Sequence, residues 1–336
     1  MTRIIFSLVI FSGSFSAYGY EVIAHRGVHQ TYLREGLEND TCTADRIYPP
    51  THTYVENTVA SITRAFELGA TIVELDIHPT SEVDSSKNQI VVFHDWTLNC
   101  RTDAKCDAGC KCNEKKECVT HEQPLSYLKT LDIGYNYTAD SGKTFPFRGE
   151  FRGEIQTLKD ILNLMEKNKT WKILINVKDG FESTQELLLR EINEYPLNVR
   201  ERILAEYSEN YSEQFKKLGV QAPIWQGGGP AKKCYRDYIA LGMTGYFPES
   251  CRNIKLFVPL HETMERATSV LKSVKLVSLL WGWPHKFIER AHDNGTEIYI
   301  SQVDTLADWN EVRNLKADGI MTNKIEVIGP KALNPK

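Results

Sequence analysis

The chain has 336 residues, 41% of them hydrophobic and 25% charged, with a formal net charge of -4 at pH 7. This composition excludes a disordered chain, and the charge balance supplies no basic surface for nucleic acid or an anionic membrane. The length suits a single (β/α)8 barrel of about 250 residues carrying insertions.

Arg3, the apolar run 4–11 and the small, polar stretch 12–19 predict a signal peptide, with Ala17 and Gly19 at the small-residue positions before the cut. Tyr20 would then be the first mature residue. The apolar run is too short to span a bilayer, and no later segment offers ~18 consecutive apolar residues. The expectation is a secreted or periplasmic protein with no stable membrane anchor.

Beyond that point short β-branched segments alternate with amphipathic ones. Strands are predicted at 22–25, 72–77, 90–94, 172–177, 202–207, 223–226, 275–281, 297–303 and 319–322. Helices are predicted at 58–68, 158–166, 183–194, 209–217, 284–294 and 305–315, the first with Asn57 as its N-cap. Strand–helix alternation implies a parallel sheet. The segment 90–94 follows 72–77 across a polar turn too short for a crossover helix, so these two should pair antiparallel as a hairpin. That leaves eight strands for a closed barrel. Two insertions interrupt it, at 28–55 and at 100–154, and a single domain over 20–336 is expected.

All eight cysteines (Cys42, Cys100, Cys106, Cys110, Cys112, Cys118, Cys234 and Cys251) follow the predicted cleavage point. An even number after a signal peptide points to disulfides. Five fall between 100 and 118 and cannot all pair internally, so one should reach outside, with Cys42 the nearest candidate. Cys234 and Cys251 would close a separate loop. A zinc knuckle at Cys106, Cys110 and Cys112 is the competing reading.

Chemistry-bearing residues cluster at the C-terminal ends of the predicted strands, where a barrel presents its catalytic loops. They are His25-Arg26, Glu74 and Asp76, His94-Asp95, Asn176 and Lys178, Glu206 and Gln302. Glu74 and Asp76 share one strand face, and two such carboxylates call for a hard divalent cation, Mg²⁺ or Ca²⁺. His25 and His94 suit a general base and a general acid, while Arg26 and Lys178 can bind phosphate.

The motifs Ala24-His25-Arg26-Gly27, Val55-Glu56-Asn57-Thr58, Gly69-Ala70-Thr71-Ile72-Val73-Glu74-Leu75-Asp76-Ile77 and Val91-Val92-Phe93-His94-Asp95 resemble, in order, those of the glycerophosphodiester phosphodiesterase family. The likeness continues through Ile155-Gln156-Thr157-Leu158, residues 173–178 and Gly319-Ile320-Met321-Thr322-Asn323. The resemblance implies a barrel hydrolase that splits a glycerophosphodiester into glycerol phosphate and an alcohol such as choline or ethanolamine. In that family His25 and His94 would be the acid/base pair, Glu74 and Asp76 the metal ligands, and Arg26 and Lys178 the phosphate contacts. Glu56 and Asn57 would shape the first loop.

The chain departs from the pattern at Asn176, where a third acidic ligand is usual, at Val55 in place of proline, and at Asn323 in place of aspartate. Glu206 on the next strand is a candidate to restore the lost carboxylate. Two other functions compete: a sphingomyelinase D-like enzyme acting on larger phospholipids, and a catalytically impaired phosphodiester-binding protein.

Overall fold

A computed structural model describes residues 20–38, 41–178, 182–225, 229–260, 282 and 284–333. The predicted signal peptide and the predicted strand 275–281 lie outside these described residues.

The described residues form nine strands: β1 Glu21–His25, β2 Ile72–Pro79, β3 Ile90–Val92, β4 Gln156–Thr157, β5 Lys172–Val177, β6 Ile203–Ala205, β7 Lys255–Pro259, β8 Glu297–Ser301 and β9 Gly319–Thr322. Seven of them form parallel ladders in the order β7-β8-β9-β1-β2-β5-β6. Parallel bridges Leu204–Gln221 and Trp225–Leu256 join the two ends through the segment 221–225, which is the eighth stave. The sheet therefore closes into a (β/α)8 barrel. One apolar side chain from each stave fills its interior: Ile23, Ile72, Leu174, Leu204, Ile224, Phe257, Tyr299 and Met321. The staves are buried on both faces, which is why they read as β-branched apolar runs.

The hairpin is present as the sequence predicts. β3 pairs antiparallel with β2, Ile77 opposite Val92, and β4 pairs antiparallel with β3 before running into the helix Leu158–Lys167. Thr157 and Asp160 form a capping box at that junction. His94 lies two residues beyond β3, close enough to the barrel mouth for its charge to act on Asp76.

The structure corrects the sequence reading in three places. β7 at Lys255–Pro259 occupies the barrel position between the 221–225 segment and β8 that had been given to 275–281. Its short apolar run is flanked by Asn253 and Pro259, a weaker strand signal than the longer run at 275–281. The helices Gly229–Leu241 and Ile325–Leu333 escape the sequence reading, the first because it opens on Gly-Pro with an irregular apolar pattern and the second because it carries Gly329 and Pro330 inside it. The N-cap of the helix Val59–Glu67 is Thr58, whose hydroxyl accepts from Ser61 N, while Asn57 turns into the site.

All eight cysteines are paired, as Cys42–Cys100, Cys106–Cys112, Cys110–Cys118 and Cys234–Cys251. The sulfurs of the cluster are thus spent on disulfides, and the zinc reading lapses. The pairing is consistent with an oxidising compartment. Around these cystines Leu128, Tyr137, Phe147 and Ile155 pack with Val91 and Phe93 of the hairpin and with Ile47 and Val55 of the first insertion. The insertions thus share a core with the barrel's edge. Among the described residues, no helix is long and apolar enough to cross a membrane.

Glu191, fully buried on the helix Glu182–Asn193, accepts from Ile90 N at 2.9 Å and so caps the edge of β3. Burial raises its carboxyl from 4.5 to about 7. Between those two values the native state keeps a proton that the unfolded chain has released, so this group's contribution to stability falls as pH rises through the window. Glu191→Gln keeps the acceptor for Ile90. It should leave stability unchanged below about pH 4.5 and add roughly 1–3 kcal/mol near pH 8, read from urea unfolding at the two pH values.

Candidate active site

The interior residues two positions beyond the packed layer form the polar rim of the barrel: His25 after Ile23, Glu74 after Ile72, Asn176 after Leu174, Glu206 after Leu204 and Asn323 after Met321. The period-2 alternation of a strand dictates this, because every second side chain enters the barrel. Parallel register then sets Glu74 beside His25 and Asn176 beside Asp76, and Glu206 N donates to Ile175 O.

β1 ends in a tight turn. Arg26 has φ 57° and Gly27 φ 79°. A Cβ on Gly27 would lie 2.3 Å from Ser61 Oγ, so only glycine lets the first loop fold down onto the helix Val59–Glu67.

Asp76 has no accessible surface and is surrounded by donors. Its Oδ1 accepts from Asn176 Nδ2 at 3.2 Å and pairs with Lys178 Nζ at 3.5 Å. Its Oδ2 accepts from Asn57 Nδ2 at 3.3 Å and lies 3.0 Å from Arg26 Nε, whose N–H is not aligned for a hydrogen bond. Burial opposes its charge, but Arg26, His94 and Lys178 together hold its carboxyl well below the usual range. Glu74 goes the other way. Burial and the Asp76 charge push its carboxyl up, although Arg26 N donates to Oε2 at 3.2 Å.

The two histidines are oriented differently. His25 Nδ1 faces Asn323 Oδ1 at 2.8 Å, and Asn323 is fixed in turn because its Nδ2 donates to Asp304 Oδ2 at 2.8 Å. An amide oxygen only accepts, so His25 carries its proton on Nδ1 and turns Nε2 toward Glu74, 3.9 Å away. Burial, Arg26 and His29 hold its pKa well below 6.5, so the ring is neutral at pH 7. His94 Nδ1 instead meets Asp95 Oδ1 at 2.5 Å. Arg101 clamps Asp95 through Nε at 2.7 Å, pairs with Glu56 at 3.0 Å, and donates to Tyr137 and Thr43. Glu56 also accepts from Arg26 at 3.2 Å. A continuous charged chain therefore runs from His94 to Asp76.

The sequence-predicted residues Arg26, Glu56, Asn57, Glu74, Asp76, Asn176 and Lys178 converge here with His25, and His94 joins them through Asp95. Arg26 is spent largely on Glu56 and Asp76, and its side chain is only 8% exposed, against 18% for Lys178. Glu206 lines the same small cavity as His25, Glu74 and Asn176, and burial raises its carboxyl to about 7. Gln302 sits at φ 66° just past β8. Sequence reasoning missed Arg101, Asp304 and Tyr137. Arg101 carried a signal in hindsight, since an arginine beside a predicted cystine in an insertion has no obvious partner until the fold supplies one.

The sequence model of the glycerophosphoryl diester phosphodiesterase family matches residues 25–217. A glycerophosphodiester phosphodiesterase from Caldanaerobacter subterraneus subsp. tengcongensis is 24% identical over 278 residues, covering 81% of this chain and 90% of the relative. Among solved structures, a glycerophosphoryl diester phosphodiesterase domain from Mycobacterium tuberculosis superposes with a TM-score of 0.55 at 13% identity, over 91% of this chain and 96% of that one. A glycerophosphoryl diester phosphodiesterase from Parabacteroides distasonis gives 0.53 at 14% identity, over 94% and 86%. These two share the barrel.

Arg101 is buried between two carboxylates, so its removal takes a cation from both and leaves Glu56 to Arg26 and Asp95 to His94. Arg101→Ala should destabilise the protein by about 3–5 kcal/mol in urea unfolding, whereas Arg101→Lys should recover part of that loss.

Proposed function

The chain belongs to the glycerophosphoryl diester phosphodiesterase family, and from that premise we propose that it hydrolyses a glycerophosphodiester by acid/base catalysis between His25 and His94 with one divalent cation. The observation that carries this reading is the opposite environment of the two imidazoles. His25 has a neutral amide behind it and a lone pair on Nε2, which suits a base. His94 has the Asp95 carboxylate at its Nδ1, which fixes the ring and leaves Nε2 as the atom to give a proton.

Glu74 and Asp76 would hold the cation, Mg²⁺ or Ca²⁺. The donor chemistry fits at Glu74: its buried carboxylate is pushed toward protonation by burial and by the Asp76 charge, and the Glu206 carboxylate lines the same small cavity. Asn176 turns its amide nitrogen to Asp76, which leaves its oxygen for another partner, and Glu206 stands on the adjacent strand as a further carboxylate. When bound, the cation supplies charge to stabilise the phosphoryl oxygens.

The chain's own groups do the rest. Lys178 and, behind it, Arg26 attract the phosphate. Nε2 of His25 takes the proton from the substrate's neighbouring hydroxyl as its oxygen attacks phosphorus. His94 gives a proton to the departing alcohol oxygen, leaving a cyclic phosphate that water opens with the two roles reversed. Asp304, through Asn323, keeps the His25 tautomer that the first step requires.

Glycerol phosphate release from a panel of glycerophosphodiesters tests this, with EDTA and with added Mg²⁺ or Ca²⁺. Turnover should need the metal and should fall by roughly 10²–10⁴ in His25→Ala and in His94→Ala. Absence of turnover with every metal, alongside cleavage of sphingomyelin, would shift the assignment to a larger lipid substrate.

A further inference from the structure

Four neighbouring staves, in the order β1-β2-β5-β6, each bring one polar side chain to the same small cavity. The residues are His25, Glu74, Asn176 and Glu206, and the cavity measures about 50 Å³. Its floor belongs to the packed apolar layer, including Leu174 and Phe257. Such a space suits an ion with a little water.

Asn176 brings no charge, and its neighbours show why an amide suits the position. Its Nδ2 donates to Asp76 Oδ1 at 3.2 Å, and the same side chain hydrogen-bonds Glu74. An ionised acid there would stand between two carboxylates as a third like charge and would have no proton to give them. The negative charge for a divalent cation then needs another source. Asp76 is already matched by Lys178 at 3.5 Å and Arg26 at 3.0 Å, so Glu74 alone supplies one unit.

Glu206 is placed to supply a second. Its N donates to Ile175 O, so it continues the β5–β6 register and stands level with Asn176. Parallel strands lie about 4.8 Å apart, a gap that a glutamate side chain can span. Leu204, two residues earlier, faces the barrel interior, so Glu206 does too. Among the described residues its carboxylate has no hydrogen bond or ion pair; the charges that act on it are Lys178 and Asp76. A partly buried carboxylate without a partner is costly, and a cation beside it would remove that cost.

We infer that Glu206 is a cation ligand, providing from β6 the negative charge that Asn176 does not provide on β5. The inference rests on the metal-dependent reading above. One role is divided between two residues: the amide bridges Glu74 and Asp76, and the carboxylate on the next stave brings the charge.

Calorimetric titration of the disulfide-intact protein with Ca²⁺ and with Mg²⁺ tests this, alongside urea unfolding in EDTA. Glu206→Gln should weaken cation binding by at least about tenfold. Its metal-free unfolding midpoint should stay the same or rise, because a ligand carboxylate without its cation only repels its acidic neighbours. Adding Asn176→Asp to that variant should return part of the lost affinity by restoring a charge on β5. Unchanged cation affinity in Glu206→Gln, or a loss matched by a fall in the metal-free midpoint, overturns the assignment while the metal-dependent hydrolase reading stands. A wild type that binds neither cation overturns both the assignment and the metal requirement. Cation binding that depends on Glu206, without cleavage of any diester, has the opposite meaning: the ligand stands and the hydrolase reading falls.

Discussion

The barrel mouth is organised by one fully buried carboxylate. Asp76 draws Arg26 from the end of β1, Asn57 from the first loop, Asn176 from β5 and Lys178 from just beyond it. A lone ionised carboxylate in such a place would be prohibitively unstable, so the donors are a condition of its charge. Their cost is that several loops are fixed at once. The left-handed turn at Arg26 and Gly27 and the left-handed Asn57 are held against Asp76 by these contacts.

Glu74, two residues earlier on the same face, is the complement of this arrangement. The donors are directed to Asp76, and Glu74 is left near its negative charge with little to offset it. A strand that buries two carboxylates and satisfies one leaves the other the more readily protonated. The same asymmetry appears in the histidines, one backed by an amide and one by a carboxylate.

The insertions contribute to the site as well as to its enclosure. The Cys42–Cys100 disulfide joins the residues next to Thr43 and Arg101, and Thr43 is one of the groups that holds the Arg101 guanidinium. Arg101 in turn fixes Asp95 behind His94 and Glu56 beside Arg26. The first insertion also lines a cavity beside His29 and Asn323, two residues in contact with His25. Polar, aperiodic segments that carry only short helical turns thus set how the histidines are held and what lies beside them.

The sequence by itself determined the strand–helix alternation, the antiparallel hairpin at 90–94, the ends of the staves where polar groups gather, and the participation of Cys42 and of the pair Cys234 and Cys251 in disulfides. Each of these is a local property: a period of two, a turn too short for a helix, a cysteine count. It did not reveal β7 at Lys255–Pro259, because whether a short apolar run becomes a stave depends on the strand beside it, and β8 is over thirty residues away. Nor did it reveal Arg101, Asp304 or His29. A charged or polar side chain in a loop looks the same in sequence whether it faces water or a buried carboxylate. Only the tertiary structure decided which, since burial turns a solvated charge into one that must find its partner.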